Sequence, residues 1–328
     1  MAELRANAFA ERLNIEHILT TSPPPQDQVL PGLLAGTAGL MVGPGGVGKT
    51  MFELQIALAI ASGESVCGGL FESQSQGAVM AHAPGKVVLV LAEESVGVVW
   101  HRLHAIVATL AGNARMRCTQ CSPAELLELW SQNLHIYTLD GQAPTQLMDG
   151  GYASTQAVSD LTKVSEGARL VMLDPLRQFH SCDENDSAAM TSLTHILREI
   201  AFDSGAAVTA THHTNRASSN QGMGDTAGAS RGSTALTDGV RWQLNLSALT
   251  RDAAKLHGID EAQRNRYLLV DLPKANYLAP QKPALLERLA GGVLVLAEEA
   301  ESRSPVERAS ANKSAGGRQP STRRSGAQ

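Results

Sequence analysis

The 328-residue sequence predicts an α/β fold with a mostly parallel central sheet and helices on both faces. Three observations carry that reading. Short apolar runs such as KVVLVL (86–91) and RLVML (169–173) recur between helical patterns, as strands buried on both faces do. A glycine-rich loop, GPGGVGKT (43–50), joins one such run to a helix. Polar residues gather at the C-terminal ends of the runs, where folds of this kind place their ligands.

The first 28 residues read as an arm. A helical apolar pattern (Leu4, Phe9, Leu13, Ile15, Ile18, Leu19) ends at Pro23-Pro24-Pro25, which imposes an extended break. A helix cut off from the core in this way has a neighbouring subunit as one candidate partner. The main domain is expected over 29–300. Leu40, Met41 and Val42 close a strand at Gly43, and TMFELQIALAIA (50–61) is apolar nearly all round, so that helix should be buried. KVVLVL reads as a central strand followed by Ala92, Glu93 and Glu94, and 100–110 as a helix. RLVML ends at Asp174, 190–202 is helical, and AAVTA (206–210) is a strand ending in Thr211, His212 and His213. Two stretches read as loops: the Gly/Ser/Gln-rich 68–84, and 216–229, whose length suggests function.

Composition narrows the class. Aromatics are 4% of the chain, so the core must be aliphatic, and no apolar run approaches the roughly 20 residues of a bilayer span. No membrane partner is expected. The N-terminus lacks an export pattern, and a cytoplasmic location is expected. Cys67, Cys118, Cys121 and Cys182 are too scattered for a disulfide framework; Cys118 and Cys121 have half-zinc-site spacing without a second pair. The net charge is −5, but the tail (301–328) is basic, carrying Arg303, Arg308, Lys313, Arg318, Arg323 and Arg324 against Glu301 and Glu307. Its lack of apolar residues predicts disorder.

The chemistry centres on the loop. Its glycines let backbone N–H groups turn toward phosphates, and the following helix adds its positive end. Gly43, Pro44, Gly45, Gly46, Val47, Gly48, Lys49, Thr50 and Met51 are expected to bind ATP, with Lys49 as the cation and the Thr50 hydroxyl on Mg²⁺. Asp174, ending its strand downstream, is expected on the Mg²⁺ side. Glu93 is the expected base for the attacking water, since Glu94 points to the opposite side if the chain stays extended. One of His212 and His213, with His212 preferred, is expected to contact the γ-phosphate.

Taken together, GPGGVGKT, LAEES, WHRLHAI, VMLDPLRQFH, THHTNR, ASRGSTALTDGVRW and PKANY resemble, in order, the motifs of the RepA-type hexameric replicative helicases of broad-host-range plasmids, which are RecA-like P-loop ATPases. The resemblance runs from about Ile15 to Gly292 and leaves out 68–84 and the tail. It implies a RecA-like core in a homohexameric ring, with ATP sites between subunits coupled to 5′-to-3′ movement on single-stranded DNA. It also implies roles for Arg102 on the adenine, Arg231 as an arginine finger and Lys274 as a second cation acting on the neighbour's site. A replication initiator and a primase are further partners it suggests. Arg177 and Arg216, on the loops after Asp174 and His213, are the expected DNA-phosphate contacts. Two other readings stay open: a RecA-like DNA-binding ATPase for recombination or partner loading without unwinding, and a non-catalytic, nucleotide-dependent regulator.

Overall fold

The computed structural model describes residues 12–71, 83–116, 121–213 and 234–297. Part of the arm, part of 68–84, the segment 214–233 with Arg216 and Arg231, Cys118 and the tail lie outside the described residues.

The first described helix is α1 (Ile15–Thr20), capped by Asn14; its Ile15, Ile18 and Leu19, and Leu13 before the cap, are all exposed. The hairpin β1 (Gln28–Leu30) and β2 (Leu33–Leu34) follows. Asp27 forms a two-bonded ion pair with Arg169 at 2.6 Å, which ties the end of the arm to the body.

Next come β3 (Ala38–Gly43), α2 (Lys49–Ser62), β4 (Lys86–Leu91), α3 (Val96–Gly112), α4 (Pro123–Asn133), β5 (Leu134–Thr138), α5 (Gln156–Val164), β6 (Ala168–Asp174), α6 (Ser187–Ser204) and β7 (Ala207–His213). From residue 234 onward follow α7 (Thr234–Gly239), β8 (Trp242–Ala248), α8 (Arg251–Leu256), β9 (Tyr267–Ala275), β10 (Ala284–Arg288) and β11 (Leu294–Leu296). The nine-stranded sheet of the described residues runs β11-β10-β9-β8-β3-β7-β6-β4-β5. From β8 to β5 every pairing is parallel; β8 to β11 pair antiparallel. The expected mostly parallel sheet is present, with an antiparallel flank that sequence patterning did not reveal. KVVLVL is interior but off-centre, flanked by β5 and β6.

Two apolar layers cover the sheet. One packs α2 and the C-terminal hairpin on Met41, Leu89, Met172 and Leu244; the other packs α5 and α6 on Leu40, Val42, Val171 and Val208. All of α2 but Thr50 is buried, as its all-round apolar sequence predicts. Its last-turn carbonyls are met from α4, where the Trp130 indole donates to Leu58 O (3.0 Å) and Asn133 to Ala61 O (2.8 Å). Gly43 has no room for a side chain: a Cβ there would lie 2.6 Å from Leu246 O on β8. That close approach brings the phosphate loop down onto the sheet. No helix among the described residues is long and apolar enough to cross a membrane.

Candidate functional site: a cavity at the phosphate loop

Parallel strands that end together carry their last residues to one edge. The edge of β3, β7, β6 and β4 opens into a cavity of about 410 Å³, lined by Gly46, Gly48, Lys49, Thr50 and Met51 from the loop and α2. Glu93, Glu94 and Arg102 line it from the β4–α3 side, Asp174 and Pro175 from the end of β6, and His213 from β7. Arg288, Gly291 and Gly292 complete the wall from the C-terminal hairpin.

Gly48 adopts φ 108° and caps α2 without a side-chain bond, so the helix's first N–H groups face the cavity. The Lys49 ammonium is nearly buried and donates to Gly43 O at 2.8 Å and Pro44 O at 3.2 Å, closing the loop on itself; His213 Nδ1 lies 3.4 Å away. Burial lowers the Lys49 pKa, opposed by the nearby charges of Asp174, Glu53 and Glu93. Asp174 sits between two hydroxyls: Thr50 Oγ1 donates to Oδ2 at 2.6 Å, and Thr211 Oγ1 donates to Oδ1.

That donor set fits Mg²⁺, which is commonly held by one or two carboxylates plus substrate phosphates and waters. Thr50 and Asp174 supply hard oxygen donors at the cavity floor. Among the described residues, no group of three or more His, Cys, Asp and Glu side chains could hold a metal on its own. Cys121, one of the two cysteines with half-zinc-site spacing, is a free thiol.

Several expected residues fall elsewhere than sequence reasoning put them. The chain bends at Ala92-Glu93 and does not stay extended, so Glu93 and Glu94 both line the cavity. They are separated by their partners instead. Glu93 Oε1 accepts from Gln178 Nε2 at 2.7 Å, whereas Glu94 pairs with Arg102 at 2.7 Å. Arg102 thus lines the cavity as half of an ion pair, with its Nη1 buried and without a hydrogen-bond partner among the described residues. Of the two histidines, His213 and not His212 faces Lys49. Side chains alternate along β7, so His213 shares the α2 face with Thr211, while His212 is buried on the opposite face near His180.

Lys274 is remote from the chain's own cavity. It lies on β9 opposite Gln243, and its ammonium donates to Thr237 O (2.8 Å) and Asp238 O (3.4 Å) in the last turn of α7. Arg177 is likewise engaged within its own loop, donating to His180 O at 2.7 Å beside Glu184. Arg231 and Arg216 lie outside the described residues.

Sequence reasoning missed two residues. Glu53, one turn into α2, is fully buried and next to Asp174. Burial, then the charge of Asp174, pushes its pKa well above the carboxylate range. The available signal was a lone acid in a helix apolar on every side. Arg288 gave no comparable signal.

Comparison with known proteins bears on the family and the fold. The profile of a family described as AAA domain (AAA_25) matches residues 5–219. A structure solved as an ATPase domain superposes with a TM-score of 0.50 at 16% identity, over 80% of this chain and 86% of that one. The structure of a DnaB-like replicative helicase and its interactions with primase gives a TM-score of 0.50 at 18% identity, over 80% of this chain and 58% of that one. At these identities the likeness is one of fold, and the fold is RecA-like.

Proposed function

Since the chain belongs to the AAA domain family, we propose that it is an ATP-dependent replicative DNA helicase, a homohexamer that couples hydrolysis at subunit interfaces to movement on single-stranded DNA and duplex unwinding. The observation carrying this reading is the convergence of Lys49, the Thr50–Asp174 pair, Glu93 and His213 around one cavity. Each supplies a part that phosphoryl transfer to water requires: a cation, a metal seat, a base and a group beside the terminal phosphate.

In this reading the loop's N–H groups and Lys49 hold the β- and γ-phosphates of ATP, and Lys49 leaves its two carbonyl partners to do so. Mg²⁺ held by Thr50 and Asp174 would offset negative charge on the phosphate oxygens. Glu93, oriented by Gln178, takes the proton from the attacking water. His213 lies close enough to Lys49 to register loss of the γ-phosphate, and it is the last residue of β7, immediately before the 214–233 segment. Arg102 opens from Glu94 toward the adenine. Arg231 and Lys274 act on the neighbouring subunit's site, and the loops after β6 and β7 meet DNA.

The resemblance of the ordered motifs to RepA-type helicases and the fold shared with the solved ATPase domain support the motor reading. The test is strand separation. Purified protein with ATP and Mg²⁺ should release the strand of a duplex bearing a single-stranded tail, and ADP should not substitute. ATP turnover without strand release would replace the helicase by a RecA-like DNA-binding ATPase. Neither turnover nor release would leave a regulator.

A further inference from the structure

The phosphate loop rests on a part of the chain remote in sequence. A Cβ on Gly48 would meet Arg288 Nη2 at 3.6 Å, Leu268 Cδ1 at 3.9 Å and Leu294 Cδ1 at 4.0 Å, so strands β9, β10 and β11 form a platform under the loop. From that platform Arg288 Nη2 donates to Val47 O at 2.7 Å.

The consequence follows from peptide planarity. Val47 C=O and Gly48 N–H belong to one trans peptide, so they point in opposite directions. Holding the carbonyl on Arg288 fixes the Gly48 N–H on the opposite side of that peptide, available to a phosphate that the loop would bind. Without that hold the 47–48 peptide is poorly restrained, because Gly48 has no side chain to limit its rotation. The donor is charged, which makes the bond stronger than one between neutral groups.

The strand that carries Arg288 is anchored by its neighbours. Its neighbour Glu287 is fixed by Arg115 (2.8 Å) and Arg266 (2.7 Å). On the loop's side, the Gln55 amide clamps α2 to β11 with Nε2 donating to Leu294 O at 2.7 Å and Oε1 accepting from Leu294 N at 2.8 Å. The hairpin and the helix that follows the loop are therefore joined directly.

We infer that Arg288 is a positioning residue of the nucleotide site: by pinning the Val47 carbonyl it presets the Gly48 N–H for the phosphates of a nucleoside di- or triphosphate. The inference rests on the reading of the cavity as a nucleotide site. Its cost when removed falls on binding, since the bond is made before the nucleotide arrives and the reacting groups are elsewhere.

The experiment is calorimetric titration of the full chain with ADP and Mg²⁺, beside thermal unfolding without nucleotide and steady-state ATP kinetics. Arg288→Met, which keeps bulk but no donor, should weaken ADP binding by about tenfold or more and raise KM for ATP, with kcat at saturation changed far less. Arg288→Lys, which keeps one charged donor, should recover part of that loss. Unchanged ADP affinity in a folded Arg288→Met chain would overturn the inference. If Arg288→Met does not fold, Arg288→Lys decides: an intermediate affinity with an unchanged melting point supports the inference, and wild-type affinity overturns it. Failure of the wild-type chain to bind ADP would instead remove the nucleotide-site reading beneath it.

Discussion

Glu93→Gln should bind ATP as the wild-type chain does and hydrolyse it about 10²- to 10⁴-fold more slowly, the range over which a positioned base contributes. The substitution keeps the side chain's size and its place beside Gln178 while removing the proton acceptor. Glu94 makes the informative control. It lines the same cavity but is neutralised by Arg102 at 2.7 Å, so Glu94→Gln should lose much less turnover and should free Arg102. Quenched-flow phosphate release and nucleotide titration on both variants separate the roles. A larger loss for Glu94→Gln than for Glu93→Gln would exchange the two assignments.

Arg231→Ala should cost about 10³- to 10⁵-fold in turnover if the arginine of the SRGS motif serves as a finger, the contribution such groups make in related phosphoryl transfer. The described cavity explains why a further cation has a place. Lys49 is met by the acidic charges of Asp174 and Glu93, Arg102 is paired with Glu94, and Arg288 is committed to Val47 O. A finger from a neighbour would add positive charge on the open side, where charge develops on the transferring group. Mixed assemblies test this directly. Arg231→Ala subunits keep an intact loop, and Lys49→Ala subunits keep an intact finger, so an interface joining them contains one complete site. Turnover should return on mixing. No recovery, with co-assembly verified by mass measurement, would return Arg231 to a structural role.

Much of the site was legible because parallel strands end together. Once β3, β4, β6 and β7 are recognised from their continuous apolar runs, the residues at their ends must share an edge, which is how Lys49, Glu93, Asp174 and His213 come together. What was not legible depends on which face of the sheet α2 covers. Alternation along β7 separates His212 from His213, but only the packed structure places Thr211 and His213 on the side of Asp174. The antiparallel flank escaped for a different reason. Strand β9 is only partly buried along most of its length and contains Asp271, Pro273 and Lys274, so it lacks the apolar run that marks the parallel strands. Arg288 was hidden with it, since its partner Val47 lies 241 residues away. Glu53 was read as part of an apolar helix, and its isolation in that helix acquires meaning only beside Asp174.

The central claim is that the cavity at the phosphate loop hydrolyses ATP and that DNA drives its turnover. The most direct measurement is phosphate release by the purified chain with Mg²⁺, with and without single-stranded DNA, at low salt, against Lys49→Ala. The account predicts release that rises on adding single-stranded DNA and that Lys49→Ala abolishes in both conditions. Release equal in the wild-type and Lys49→Ala chains, or unresponsive to DNA, would contradict it.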